Sequence, residues 1–309
     1  MLNLAQARVI DPILTQIVQD YLARPTSGNA LFPWVDVNVR GGQIIQFGKE
    51  SFYLYNTRRA PGADVKVIDY GAYSGAPFVL ETHDIDSIVP IEHLQDARAV
   101  PGIDLAQRAV VKTMDAILLN WENACATLAT TPANYLASNT IALAGAAQWS
   151  NPAADPLAVV NAARERIRSQ IGAYPNVAIM GSSVLAALQG NVSFKDSIKY
   201  TQRAVITADI IASLLNIPRI EVGTSVKLDE ATGNLVDLWD KVFILAYVGT
   251  GNDHEAPSFG YTYRYRGHPQ VETPWFDRVK KSWRYGTKLD RMPVIAGQAA
   301  GYLISNVIA

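Results

Sequence analysis

Residues 41–90 read GGQIIQFGKESFYLYNTRRAPGADVKVIDYGAYSGAPFVLETHDIDSIVP, and residues 104–130, one short connection later, read DLAQRAVVKTMDAILLNWENACATLAT. The first stretch alternates apolar and polar side chains in pieces, GGQIIQFG, ESFYLYN, ADVKVIDYG and APFVLETHDIDSIVP, separated by glycine, proline and the ArgArgAlaProGlyAla run at 58–63. Period-two patterning between turn residues predicts strands. These strands carry only their own turns, and an isolated hairpin is marginal in water. Such a segment needs a surface to lie on, either elsewhere in the chain or on a neighbouring copy. The second stretch is the clearest helix of the sequence. Asp104 with Gln107 gives a capping-box-like start, and Val110, Met114, Ile117, Trp121, Cys125 and Leu128 recur at steps of three and four. At 1.5 Å per residue the helix is about 39 Å long, which suits a spine.

Towards the N-terminus, Asp11 and Pro12 begin a short helix with Ile13, Ile17 and Tyr21 on one face, closed by ArgProThrSerGly at 24–28. The following LFPWVDVNV, from Leu31, predicts an extended arm whose Phe32 and Trp34 dock on other structure. Beyond the spine, Asp155 and Pro156 start a helix that buries Val160, Ala163, Ile167 and Ile171 and stops at Gly172. Strand patterns at 177–180, 219–223 and 241–249 alternate with helices at 182–189 and from Thr207, with a turn at 232–234, predicting an α/β subdomain. In the tail, FGYTYRYRG sets Tyr261, Tyr263 and Tyr265 against Thr262, Arg264 and Arg266, and VKKSWRYG alternates similarly. Two strands, each with one aromatic and one basic face, are expected. No repeat, low-complexity tract or polar linker divides these sections, so one intertwined architecture is expected.

The 309 residues are 49% hydrophobic and 18% charged, with a net charge of -1. This excludes global disorder, which needs low hydrophobicity and high net charge. A single cysteine, Cys125, allows no disulfide framework within the chain, and its place on an apolar helix face predicts a buried small hydrophobe. No apolar run reaches membrane-spanning length, and MLNLAQARVIDP lacks the head of a secretory signal, so a soluble intracellular product with no membrane partner is expected.

Catalytic, cofactor and metal sites are expected to be absent. Ser182 follows a strand in MetGlySerSer but lacks the second glycine of a nucleophile elbow, and is read as a helix cap. His83, His93, His254 and His268 show no i, i+4 metal spacing. HisAspIleAsp at 83–86 and AsnAspHisGlu at 252–255 are read as solvated acidic turns, and GlyThrGly at 249–251 is followed by neither a helix pattern nor GlyLys. The tail is more informative: residues 264–291 hold eight Lys or Arg against three acids, a local net of +5 that leaves -6 for the rest. Interleaved with Trp275, Trp283 and Tyr285, these bases could grip nucleic acid. The preferred reading is that they dock on acidic groups of another subunit, because overall charge is near neutral.

The order of arm, long hairpin, spine helix, α/β subdomain and returning strands resembles the tailed-phage major capsid proteins of the Hong Kong 97-like fold. The resemblance is carried by Asp11 and Pro12 with LeuPheProTrpVal at 31–35, FGKESF from Phe47, TRRAPGA from Thr57, SIKYT at 197–201, IPRIEVG at 217–223 and KVFILAY at 241–247. It implies an α+β chain with an N-terminal arm (1–40), an extended E-loop hairpin (41–92), a peripheral domain with the spine helix (93–144), an axial domain (145–255) and returning peripheral strands with a C-terminal strand (256–309). It implies a shell of hexamers and pentamers enclosing double-stranded DNA held by weak, non-specific contact. It also implies a separate scaffold protein, a portal and a decoration protein as partners, with assembly in the host bacterial cytoplasm and a final place in the virion. No cofactor is implied. Phe32, Trp34, Tyr53, Tyr55, Arg58, Arg59, Lys66, Arg264, Arg266, Lys280, Lys281 and Arg284 are the expected inter-subunit contacts, with Arg58 and Arg59 meeting carboxylates. The Lys and Asn of the prototype's covalent cross-link have no assignable counterpart. An encapsulin-like compartment shell shares the fold and is the nearest rival; a cytoplasmic α/β enzyme built on residues 177–250 is the rival of a different class.

Overall fold

The computed structural model describes residues 10–22, 26–44, 54, 57–59, 64–65, 77–98, 104–198, 207–249 and 258–309. Asp11 accepts from the backbone N–H groups of Ile13 and Leu14 at 3.0 and 3.1 Å and starts α1 (Pro12–Leu22). The single turn α2 (Gly28–Leu31) leads into β1 (Trp34–Val37). Then come β2 (Gly41–Gln43), β3 (Pro77–Val79), β4 (Glu81–Pro90) and α3 (Ile91–Arg98). The spine is α4 (Leu105–Thr130), whose cap Asp104 accepts from the N–H groups of Ala106 and Gln107. Its buried face runs Val110, Met114, Ile117, Trp121, Cys125 and Ala129.

The middle of the chain supplies β5 (Thr140–Ala142), α5 (Pro156–Ile171), β6 (Val177–Gly181), α6 (Ser182–Gly190), α7 (Val192–Ile198), α8 (Ala208–Leu215) and β7 (Arg219–Gly223). A small ribbon of β8 (Val226–Leu228) and β9 (Leu235–Asp237) precedes β10 (Phe243–Ala246). Gly172 ends α5 at φ 72°, a left-handed turn that glycine adopts without strain. The tail forms β11 (Gly260–Tyr265), β12 (Gln270–Val271), β13 (Trp275–Asp277), β14 (Ser282–Ile295) and β15 (Gly301–Ser305).

Two sheets organise the chain. One has the order β5-β15-β10-β6-β7, and strand alternation sends its side chains into two cores. Val177, Ile179, Ile244 and Leu303 join the core around α4, whereas Ala178, Met180, Phe243, Leu245 and Ile304 join a second core beneath α5, α6 and α8. The other sheet is built on the 14-residue β14. One edge of β14 pairs with all of β4, from Ser282↔Pro90 to Arg291↔Glu81. Its opposite edge takes β13, β12 and β11 in succession, and β1 adds parallel to β11 with Trp34 opposite Thr262. The arm therefore docks on its own chain.

Three expectations are corrected. Phe78 has a local core after all: it is buried with Val35, Tyr261 and Tyr263, and its ring stacks on Tyr263 at 4.4 Å. The second face of β11 is not basic at Thr262, which is buried beneath α4, where it receives a hydrogen bond from Trp121 Nε1 at 3.1 Å and donates to the Phe32 carbonyl at 3.0 Å. Lys280 and Lys281 lie in the β13–β14 turn, not on a strand, because Asp277 Oδ1 accepts from the N–H groups of Val279 and Lys280 and Lys281 turns back at φ 48°.

Candidate functional site

The arm, the spine and the five-stranded sheet meet at one carboxylate. Glu122 projects from α4 into the core, 2% exposed. Its oxygens accept from the Gly28 N–H at 3.0 Å and from Trp239 Nε1 at 2.7 Å. A Cβ at position 28 would stand 2.8 Å from Glu122 Oε2 and 3.2 Å from Cys125 Cβ, so a larger residue there would displace the carboxylate from its two donors. Burial raises the Glu122 pKa, and the two hydrogen bonds partly oppose that rise. Sequence reasoning missed this residue, although an acid four residues after Leu118 and three before Cys125 on an apolar stripe was a legible signal. Phe32 beside it is fully buried and packs on Phe259, and Trp34 stacks on Trp121 at 4.6 Å. Both expected contact residues are thus engaged within their own chain.

The basic tail is also partly committed internally. Arg264 pairs with Asp36 at 2.7 Å. Arg284 binds Asp277 at 2.8 Å, faces Asp86 at 3.6 Å and lies over the Trp275 ring. The Arg284 hydrogen bond holds the Asp277 pKa below the ordinary carboxylate value. Arg291 is buried against α4, donating to Asn120 Oδ1 at 2.8 Å, and burial lowers its pKa to about 10. Arg266, Lys280 and Lys281 are exposed, and Val279 between them is 92% exposed.

The segment joining β2 to β3 presents apolar groups to solvent at its described positions: Leu54 is 94% and Val65 69% exposed. Arg58 and Arg59 are exposed as well. Tyr53, Tyr55 and Lys66 lie outside the described residues. An exposed apolar group that is not scattered singly marks an interaction surface.

Ser182 is the first residue of α6 and not its cap, which is Gly181 without a side-chain hydrogen bond. Its Oγ donates instead to Asp237 Oδ2 at 3.3 Å, and no histidine accompanies them among the described residues. His268 is buried, its Nδ1 accepting from the Asp290 N–H at 3.2 Å; His83 is half-buried beside Glu81, His93 is exposed on α3, and His254 lies outside the described residues. Among the described residues no group of three or more His, Cys, Asp or Glu could hold a metal ion, and no helix is long and apolar enough to cross a membrane.

The geometry describes a subunit with well-packed apolar cores and with apolar and basic surfaces left open. The pattern of the family described as phage major capsid protein E matches residues 134–224. The chain is 32% identical to the major capsid protein of Burkholderia phage BcepMu over 310 aligned positions, which cover 99% of each chain. The chain belongs to the phage major capsid proteins. A crystal structure of a phage-related protein from Bordetella bronchiseptica RB50 is 39% identical and superposes with a TM-score of 0.84, covering 98% of this chain and 99% of that one. The satellite phage P4 procapsid structure, at 11% identity and a TM-score of 0.54 over 94% of this chain and 98% of that one, shows the shared fold alone. This phage major capsid protein has a mixed α+β fold of the Hong Kong 97 type, and it assembles with copies of itself into the shell of the virion. Its family is a structural one.

Proposed function

We propose that this major capsid protein builds the icosahedral head of a tailed double-stranded DNA phage, and that its chain divides as the family does. Residues 1–40 are the arm, 41–92 the E-loop, 93–144 and 256–309 the peripheral domain, and 145–255 the axial domain. The observation that carries the reading is the identity to a major capsid protein along the whole chain. The division is supported by the pairing of β1, β4 and β11–β14 beside α4, and by the second core under the five-stranded sheet; β5 and β15 join that sheet from outside the axial residues. An encapsulin-like compartment would share this fold, and the full-length relative favours the genome shell over it. Electron microscopy of negatively stained purified protein tests the reading: closed shells are the expected result, and a population of monomers only would overturn it.

The exposed pair Arg58 and Arg59 binds carboxylates of another subunit in this reading. Replacing both with alanine is expected to lower shell yield at least several-fold while the melting temperature of the subunit stays unchanged. Normal yield from the double variant would remove the role.

A separate scaffold protein, a portal and a decoration protein complete the proposed partners, with assembly in the host cytoplasm. Contact with the packaged DNA is weak and general. Each phosphate neutralised adds a salt-dependent increment, and many copies would multiply it; of the eight bases in residues 264–291, Arg264, Arg284 and Arg291 are engaged by Asp36, Asp277 and α4. A gel-shift at physiological salt is expected to show little binding, rising as salt falls and indifferent to sequence; tight sequence-selective binding would contradict this.

A further inference from the structure

Two surface features of the described residues combine exposed apolar side chains with charge of opposite sign. The first is the β8–β9 ribbon, where Val226, Leu228, Leu235 and Val236 are all exposed and Leu228 stands directly opposite Leu235. Among the described residues the ribbon has no third strand, and a lone pair of strands is marginal in water. Its shape is set by the turn: Asp229 accepts from Thr232 Oγ1 at 2.7 Å and from the Ala231 N–H at 3.2 Å, and its N–H donates to the Asn234 carbonyl. The ribbon is therefore a preformed knob with a leucine pair on one face, carrying Asp229, Glu230 and Asp237, while its Lys227 is held by Asn123 of the spine.

The second feature lies at the far end of the six-stranded sheet. A groove of about 500 Å³ runs between β4, α3 and the start of α4. Ile88, Val89 and Leu105 line it with apolar surface, and His93, Arg108 and Lys112 stand around it against the single acid Asp96. The basic β13–β14 turn is tied to the same end, since the Ile91 N–H donates to the Lys281 carbonyl. Among the described residues β4 pairs only with β14, so its other edge offers backbone donors and acceptors to an added strand.

We propose that the acidic β8–β9 ribbon of one copy docks into this basic groove of the next. A head-to-tail contact between identical subunits requires both complementary surfaces on one chain, and here the acidic apolar knob and the basic apolar groove are both present. Charge complementarity sets the direction of the contact and suppresses ribbon-to-ribbon and groove-to-groove pairing. The contact rests on the self-assembly of this chain.

Shells of the full chain carrying both Leu235→Cys and Ile88→Cys, oxidised with diamide, test it. The native Cys125 is fully buried and does not compete. The expected result is a ladder of multimers on a non-reducing gel from the double variant, with no cross-linking in either single variant. Intact shells that remain monomeric on the gel, or dimers from one single variant, would overturn the contact. A cross-link from Ile88→Cys to a different protein of the particle would assign the groove to that partner and overturn it equally. Should the cysteine variants form no shells, Lys112→Glu and Glu230→Lys serve instead: each alone lowers shell yield and the pair together restores it, whereas a pair no better than either single variant refutes the docking. An unmodified chain that forms no particles removes the assembly reading and the contact with it; particles without cross-links remove the contact alone.

Discussion

Phe32→Ala lowers the stability of the isolated subunit by about 3–5 kcal/mol, the usual cost of emptying a fully buried aromatic site. The ring has no solvent exposure and packs on Phe259, and it lies so close to Gly260 that a Cβ there would stand 2.5 Å from it. Domains are stable by about 5–15 kcal/mol, so the loss removes a large share of the whole. Thermal or urea unfolding of dissociated subunits measures it. A residue used between subunits would leave that midpoint unchanged and reduce only assembly; such a result would return Phe32 to the interface expected from the sequence.

The second large effect belongs to Glu122. Alanine in its place leaves the Gly28 and Trp239 N–H groups buried without an acceptor, at about 1–3 kcal/mol each. Glutamine keeps an oxygen acceptor and is expected to retain most of the stability. The two variants also separate through pH. Because burial raises the Glu122 pKa, the folded subunit holds the proton more readily than the unfolded chain. Its contribution is therefore most favourable below the unfolded carboxylate pKa, about 4.3, and is lost as pH rises through the higher folded value. Unfolding midpoints measured across that window should fall with rising pH less steeply in Glu122→Gln than in the unaltered subunit. Identical slopes would show that the carboxyl does not titrate in the folded core.

The spine could be read from the sequence because each of its signals is local. A cap and a stripe at helical spacing both lie within the stretch that folds, and α4 begins at Leu105, directly after the expected cap. The same holds for α5, where Asp155, Pro156 and Gly172 mark both ends. The tail was harder. Alternation identified β11 and part of β14 as strands, but alternation cannot say what covers each face. Thr262 looks like a solvent-facing position until Trp121, 141 residues away, is placed over it. Likewise Lys280 and Lys281 fit a strand pattern, and only the acceptance of their turn's N–H groups by Asp277 shows that the strand starts after them. The contact residues were legible as a class, exposed or basic aromatic segments, while the division between those used inside the subunit and those left outside depended on long-range pairing. Arg264 and Arg284 found carboxylates on their own chain, at Asp36 and Asp277. Arg266 and Lys280 remain on the surface.

The pairing of β14 also has a consequence in time. The strand pairs with β4 near residue 85 and with β11 near residue 262, to which β1 near residue 35 adds, so the sheet joins segments separated by well over half of the sequence. A ribosome adds about 5–20 residues per second, and β14 reaches solvent only when nearly everything before it has been made. Until then β4 lacks its pairing strand and β11, which carries the arm, stands without β14, and loop closure over so long a span is slow even afterwards. A nascent chain that stops short of residue 282 therefore lacks the strand that joins β4 to β11, and cannot display the finished sheet of a subunit.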